Sequence, residues 1–198
     1  MPRVRSDDYD AKTHAILDSA AVLFAKVGYP SAKMQDIAKA CGASKSMLYH
    51  YFPTKDELLY AMLEEHLQRV IVALEEAMAE PVPPRERFAA FVLAYTQKSA
   101  QSRRRHVSAM NDVKFLPKAL QAPILEQQSR VTDLAAELLK AVKPGQPPEV
   151  YKPYAMMLIG MLNWTDFWFR PSGPMKAPEL CERMTQLFLH GFLSDPPG

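Results

Sequence analysis

Met34-Gln-Asp-Ile-Ala-Lys-Ala-Cys-Gly-Ala-Ser-Lys-Ser-Met-Leu-Tyr-His-Tyr-Phe52 reads as two short helices joined by a tight turn. Ser31 is a suitable N-cap for the first helix and Ser44 for the second, because a short hydroxyl side chain accepts from an otherwise orphaned N–H. Gly42 falls where the first helix must stop, and glycine tolerates the positive φ required there. Ile37, Ala38, Cys41, Ala43, Leu48 and Tyr51 are the small or apolar positions, spaced so that two helices can cross closely. The other face of the second helix carries Ser44, Lys45, Ser46, Met47, Tyr49 and His50. A helix-turn-helix has this layout, and its second helix enters the DNA major groove. A plain helical hairpin has no need to display Lys45, Tyr49, His50 and Lys55 together.

Working outward, Ile16, Ala20, Leu23, Phe24 and Val27 recur at helical spacing and predict a first helix from about Tyr9 to Val27, closed by Gly28. It completes a three-helix core. Residues 1–9 read as a loose polar arm carrying Arg3 and Arg5. Pro53 ends the recognition helix, and Thr54 with Glu57 forms a capping-box signature for a long helix reaching about Met78. Further helices are predicted at about Pro84–Ser102, Arg104–Phe115, from a start bracketed by Pro117 and Pro123 to Val142, Glu149–Phe169 and Ala177–Leu193. With seven glycines and no alternating strand pattern, the fold class is all-α, about nine helices. The division expected is a DNA-binding head over residues 1–55 and a ligand-binding and dimerisation body over 56–198.

Residues 10–60 resemble the N-terminal domain of TetR-type repressors. The matching stretches are Ile16-Leu-Asp-Ser-Ala-Ala-Val-Leu-Phe24, Val27-Gly-Tyr29, Met34-Gln-Asp-Ile-Ala38, Cys41-Gly-Ala-Ser-Lys45, Leu48-Tyr-His-Tyr-Phe52 and Lys55-Asp-Glu-Leu-Leu59. Ser46 departs from the glycine or proline common in the family, and Met47 from a small polar residue; both bear on the operator sequence. The resemblance implies a ligand-responsive repressor that binds a palindromic operator as a homodimer. The alternative is a small-molecule-binding or interaction protein with a vestigial DNA head.

Residue roles follow. Ser44 and Lys45 start the recognition helix and reach base edges or phosphates, with Ser31, Lys33 and Ser46 beside them. Met47 suits a thymine methyl; Tyr49, His50 and Lys55 suit phosphates. Residues 1–55 carry eight Lys/Arg against five Asp/Glu, a balance of +3, within a chain of net charge +2. A mildly basic head suits local phosphate contact better than a nucleic-acid coat.

In the body, the stretch Glu149–Phe169 is apolar nearly all round, and such a helix must be buried on more than one side. The resemblance implies that the last two helices pair with those of a second copy, with Leu180, Met184, Leu187 and Phe188 at the interface. Phe91, Tyr95, Met110, Trp164, Phe167 and Trp168 offer an apolar slot, and Asn111 and Asn163 interrupt it. Arg103, Arg104, Arg105 and Arg170 are the guanidinium groups suited to phosphates. Gly160-Met-Leu-Asn-Trp164 through Trp168-Phe-Arg-Pro-Ser-Gly173 resembles TetR-type regulators that respond to acyl-coenzyme A thioesters. A neutral hydrophobic drug-like effector is the second choice.

Catalysis is not expected. His14, His50, His66, His106 and His190 fall on separate segments without metal-ligand spacing, and there is no Gly-rich phosphate loop or nucleophile elbow. No metal or cofactor is expected. Cys41 and Cys181 suit a reducing compartment, and the longest uncharged apolar run, Ala155–Trp164, is too short for a bilayer, so a cytoplasmic location without membrane association is expected.

Overall fold

The computed structural model describes residues 3–194, with side chains from Tyr9 onward. Among the described residues there are nine α-helices and no strands. They are α1 (Arg3–Val27), α2 (Met34–Ala40), α3 (Lys45–Tyr51), α4 (Lys55–Ala79), α5 (Pro84–Gln101), α6 (Arg103–Asn111), α7 (Lys118–Val142), α8 (Pro148–Trp168) and α9 (Ala177–Ser194). A short 3-10 turn, Val113–Phe115, stands between α6 and α7.

Three expectations on local structure are corrected. Residues 3–9 continue α1 instead of forming a loose arm; the Arg3 and Arg5 side chains lie outside the described residues. The segment predicted as one helix to Phe115 breaks at Asn111, and the Ser108 hydroxyl is bonded to Asp112 Oδ2 at 2.5 Å at that break. The start of α7, at Lys118, falls between Pro117 and Pro123 as expected, with Pro123 inside the helix. Ser31 caps nothing: α2 begins at Met34, and the N-cap position is Lys33, without a side-chain cap bond.

Two compact units emerge. The first comprises Met1–His66 and Arg104–Leu125, the second Leu67–Arg103 and Glu126–Gly198. The first is therefore larger than a head ending at residue 55. Its additions are tied in by polar and aromatic contacts. Arg105, with its side chain 5% exposed, pairs with Asp18 of α1 at 2.7 Å and with Glu65 of α4 at 3.1 Å. His14 meets the same Glu65 at 3.3 Å. His66 Nε2 and His106 Nδ1 lie 2.9 Å apart, both rings buried. Phe115 stacks on Tyr29 with centroids 5.7 Å apart.

The second unit has the larger core, in which Phe88, Phe91 and Val92 of α5 meet Leu134, Leu138 and Leu139 of α7, Ala155, Leu158 and Leu162 of α8, and Phe192 of α9. Its loop at 143–148 is fastened by Tyr151, whose hydroxyl accepts from the Gln146 N–H at 3.0 Å and donates to the Lys143 carbonyl at 2.9 Å. No helix among the described residues is long and apolar enough to cross a membrane.

Candidate nucleic-acid interface

The turn between α2 and α3 follows from its residues. The Cys41 N–H closes on the Ile37 carbonyl at 3.1 Å, and Gly42 then takes φ +68°, the left-handed conformation that a side chain would resist. The Ala43 N–H returns to the Ala38 carbonyl at 2.9 Å, so a small residue at 38 lets the turn close tightly. Ser44 is in the extended N-cap conformation, and its hydroxyl accepts from the Met47 N–H at 3.1 Å. Its Oγ also lies 3.1 Å from the Ser46 Oγ. Ser44 is thus engaged as the cap of α3.

Leu48 is the buried residue of α3, and Ile37 and Ala38 of α2 are buried as well. Lys45, Ser46, Met47, Tyr49 and His50 all face outward. Lys45 Nζ lies 5.8 Å from the Tyr49 ring centre, and Tyr51 stacks on Tyr9 of α1 with centroids 4.7 Å apart. Beside this face a groove of about 490 Å³ is lined by Lys33, Gln35, Lys45, Tyr49, Thr54 and Lys55, among others. Five of the predicted DNA residues therefore share one exposed helix face, and Lys33 lies at the adjoining groove.

Lys55 sits at the same edge but is placed otherwise than a phosphate ligand requires. Its ammonium donates to the carbonyls of Tyr29 at 2.9 Å, Pro30 at 3.2 Å and Ala32 at 3.1 Å. It also lies 4.4 Å from the centre of the Tyr29 ring. The Tyr29 hydroxyl donates to Asp56, and burial first, then this carboxylate, push its pKa well above the ordinary tyrosine value. The predicted capping box is present: the Thr54 N–H donates to Glu57 Oε2 at 3.0 Å and the Glu57 N–H to Thr54 Oγ1 at 3.1 Å.

The predicted ligand residues are dispersed. Phe91 and Tyr95 are buried in the second unit's core, and the Tyr95 hydroxyl donates to Asn163 Oδ1 at 2.5 Å. Burial, then the nearby Asp166 charge, raise the Tyr95 pKa well above its ordinary value. Arg103, an exposed residue, donates from one terminal nitrogen to the Asp166 backbone carbonyl, whereas the buried Arg105 is taken up by Asp18 and Glu65 and offers no free fork. Arg104 and Arg170 are exposed. Asn111 is exposed and donates to the Val107 carbonyl at 2.8 Å; Met110 is half-buried beside it. Trp164, Phe167 and Trp168 turn outward from α8.

The predicted interface is also redistributed. Leu180 and Met184 belong to the chain's own core, and Phe188, half-buried, stacks on Phe88 at 5.7 Å. Leu187 is 72% exposed. On α8, Met156, Met157 and Trp164 are each more than 60% exposed, at 63%, 61% and 63%. Sequence reasoning missed the His66–His106 pair, because only the fold brings those segments together. Among the described residues no group of three or more His, Cys, Asp or Glu is placed to hold a metal ion.

Comparison with known proteins agrees with this arrangement. Residues 16–62 match the model described as bacterial regulatory proteins, tetR family, and residues 81–192 match that of the tetracyclin repressor-like C-terminal domain. The second match alone covers more than half of the chain. The chain belongs to the TetR family. A TetR-family transcriptional regulator from Bordetella parapertussis 12822 is similar at 30% identity and a TM-score of 0.85, over 94% of this chain and 98% of that one. An HTH-type transcriptional repressor of Mycobacterium tuberculosis is 36% identical over 70 residues, which is 35% of this chain but only 37% of that repressor's length. AibR, solved in complex with isovaleryl coenzyme A and operator DNA, shares the fold at a TM-score of 0.78 and 24% identity, over 89% of this chain and 97% of that one. These TetR relatives are named as transcriptional regulators.

Proposed function

We propose that the protein is a ligand-responsive transcriptional repressor whose α3 helices, two per homodimer, enter successive major grooves of a near-palindromic operator. The observation that carries this reading is the outward face of α3, on which Lys45, Ser46, Met47, Tyr49 and His50 are all exposed while Leu48 is buried. Met47 contacts a thymine methyl, Lys45 a base edge or phosphate, and Tyr49 and His50 phosphates. The test is selection of duplexes from a randomised pool, followed by titration at several salt concentrations. Lys45→Ala is expected to weaken binding and Met47→Ala to relax one base position; absence of any selected sequence would refute the reading.

The second copy covers the outward apolar residues of α8 and α9, namely Met156, Met157, Trp164, Trp168 and Leu187. What supports this is their exposure, since a monomer rarely leaves so many large apolar side chains on one helix unpartnered. Trp164→Glu and Leu187→Glu are expected to give folded monomers in sedimentation; an intact dimer in both would sink the assignment.

The effector is an acyl-coenzyme A thioester. Support comes from the fold shared with AibR, whose solved complex holds isovaleryl coenzyme A, and from the Gly160–Gly173 resemblance. Within the second unit, Tyr95 and Asn163 form a polar pair beside Phe91, and Arg170 is an exposed cation. By linkage the effector weakens DNA binding only as far as it prefers the conformation that binds DNA less well. Titrating the protein–operator complex with acyl-coenzyme A thioesters and the matching free acids decides: release by thioesters, weakened in Arg170→Ala, is expected. Release by free acids or neutral drug-like molecules alone points to the second class of effector.

A further inference from the structure

We propose that Lys55 is a positioning residue of the DNA-binding head, which locks the loop at residues 29–32 onto the start of α4, and that it does not bind phosphate. The inference rests on reading α3 as the DNA-binding element. A lysine ammonium has three N–H donors. Here the carbonyls of Tyr29, Pro30 and Ala32 take them, at 2.9, 3.2 and 3.1 Å. A phosphate would have to displace one of these and strand a backbone carbonyl in a loop whose Tyr29 and Ala32 are each only 4% exposed.

The charge around Lys55 points the same way. The first turn of α4 carries Asp56 and Glu57. Asp56 accepts from the Tyr29 hydroxyl, and Glu57 accepts from the Thr54 N–H. A phosphate arriving at this helix start meets two carboxylates, and the N–H groups of Thr54 and Glu57 are already taken.

The clamp matters because of what the loop feeds. Gly28, at φ +79°, turns the chain out of α1, and residues 29–32 lead straight to Lys33 and the first turn of α2. The α2 helix then sets α3 through the turn that Ala43 closes on Ala38. Holding Tyr29 from both Lys55 and Asp56 therefore fixes where the recognition helix begins. Loosening the hold lowers the fraction of molecules with α3 in place, and the apparent Kd rises by the reciprocal of that fraction. Such a factor is the same at every salt concentration. Losing a phosphate contact instead flattens the dependence of log K on log salt, by about 0.9 per contact.

Lys55→Met keeps the stem over Tyr29 and removes the donors. The full-length variant is compared with wild type in thermal unfolding, and in binding to the duplex that wild type selects from a randomised pool. The expected result is a lower melting midpoint and binding weaker by about tenfold, in parallel with wild type across salt. Tyr29→Phe, which changes no charge, is expected to show a smaller shift of the same kind, while Lys45→Ala flattens the slope. An unchanged midpoint in Lys55→Met, or a slope lowered by about 0.9, overturns the proposal. Melting needs no DNA, so failure of the clamp and failure of the DNA-binding reading are told apart.

Discussion

Helices α3 and α8 differ in how far their residue pattern reveals their orientation. The short α3 has Leu48 inside and polar, cationic or mixed side chains outside, so hydrophobicity alone says which way it faces. The longer α8 is apolar on both sides. Tyr151, Ala155, Leu158 and Leu162 point into the chain's core, whereas Met156, Met157, Trp164 and Trp168 point away from it. Contrast between faces, rather than hydrophobicity itself, carries orientation. Where the contrast vanishes, residue type cannot separate core, pocket and interface.

The sharpest test of that comparison lies within α8. Leu158→Ala, on the fully buried side, is expected to cost about 3–4 kcal/mol, whereas Met157→Ala should change the stability of a monomeric background by no more than about 0.5 kcal/mol. Urea unfolding of both in the Leu187→Glu background checks this; equal losses would break the two-sided picture. Next is a charge that sequence reasoning placed outside. Arg105→Gln takes the buried guanidinium away from Asp18 and Glu65 and is expected to cost about 3 kcal/mol, at the low end for broken pairs because Asp18 is 74% exposed. Denaturant midpoints measure it, and a surface-like change below about 0.5 kcal/mol would return Arg105 to the candidate phosphate ligands.

Smaller effects separate a hidden polar pair from a visible cap. Tyr95→Phe leaves Asn163 without the 2.5 Å donor and should cost about 1–2 kcal/mol. Ser44→Ala removes the α3 cap and should cost about 1 kcal/mol, with helix fraying visible in amide exchange at Met47. If Ser44→Ala proved the more damaging of the two, the head would be the less forgiving region.

The helices were legible because their ends are written in local chemistry. Gly28 and Gly42 take the positive φ their positions suggest, and Thr54 and Glu57 pair as a capping box. Boundaries of α4, α5, α8 and α9 fall within one residue of their expected places. What failed was partner choice. Ser31 looked like a cap, but the loop before Lys33 is organised by Lys55, which stands more than twenty residues away in sequence. Arg105 looked like a free fork, but carboxylates on α1 and α4 hold it. Leu180 and Met184 looked like interface because α9 has a clean stripe, yet the chain's own core takes it. Each error is a long-range contact that no local spacing encodes.

The single hydroxyl of Tyr151 bears on how this chain can be re-engineered. By composition, Lys143-Pro-Gly-Gln-Pro-Pro148 is an inviting place to splice in a tag or cut a new terminus. Tolerance to insertion depends on whether the backbone there is hydrogen-bonded, not on whether it is called a loop. Here one hydroxyl holds the loop at both Lys143 and Gln146, so an inserted reporter would pull apart the only two anchors that Tyr151 provides.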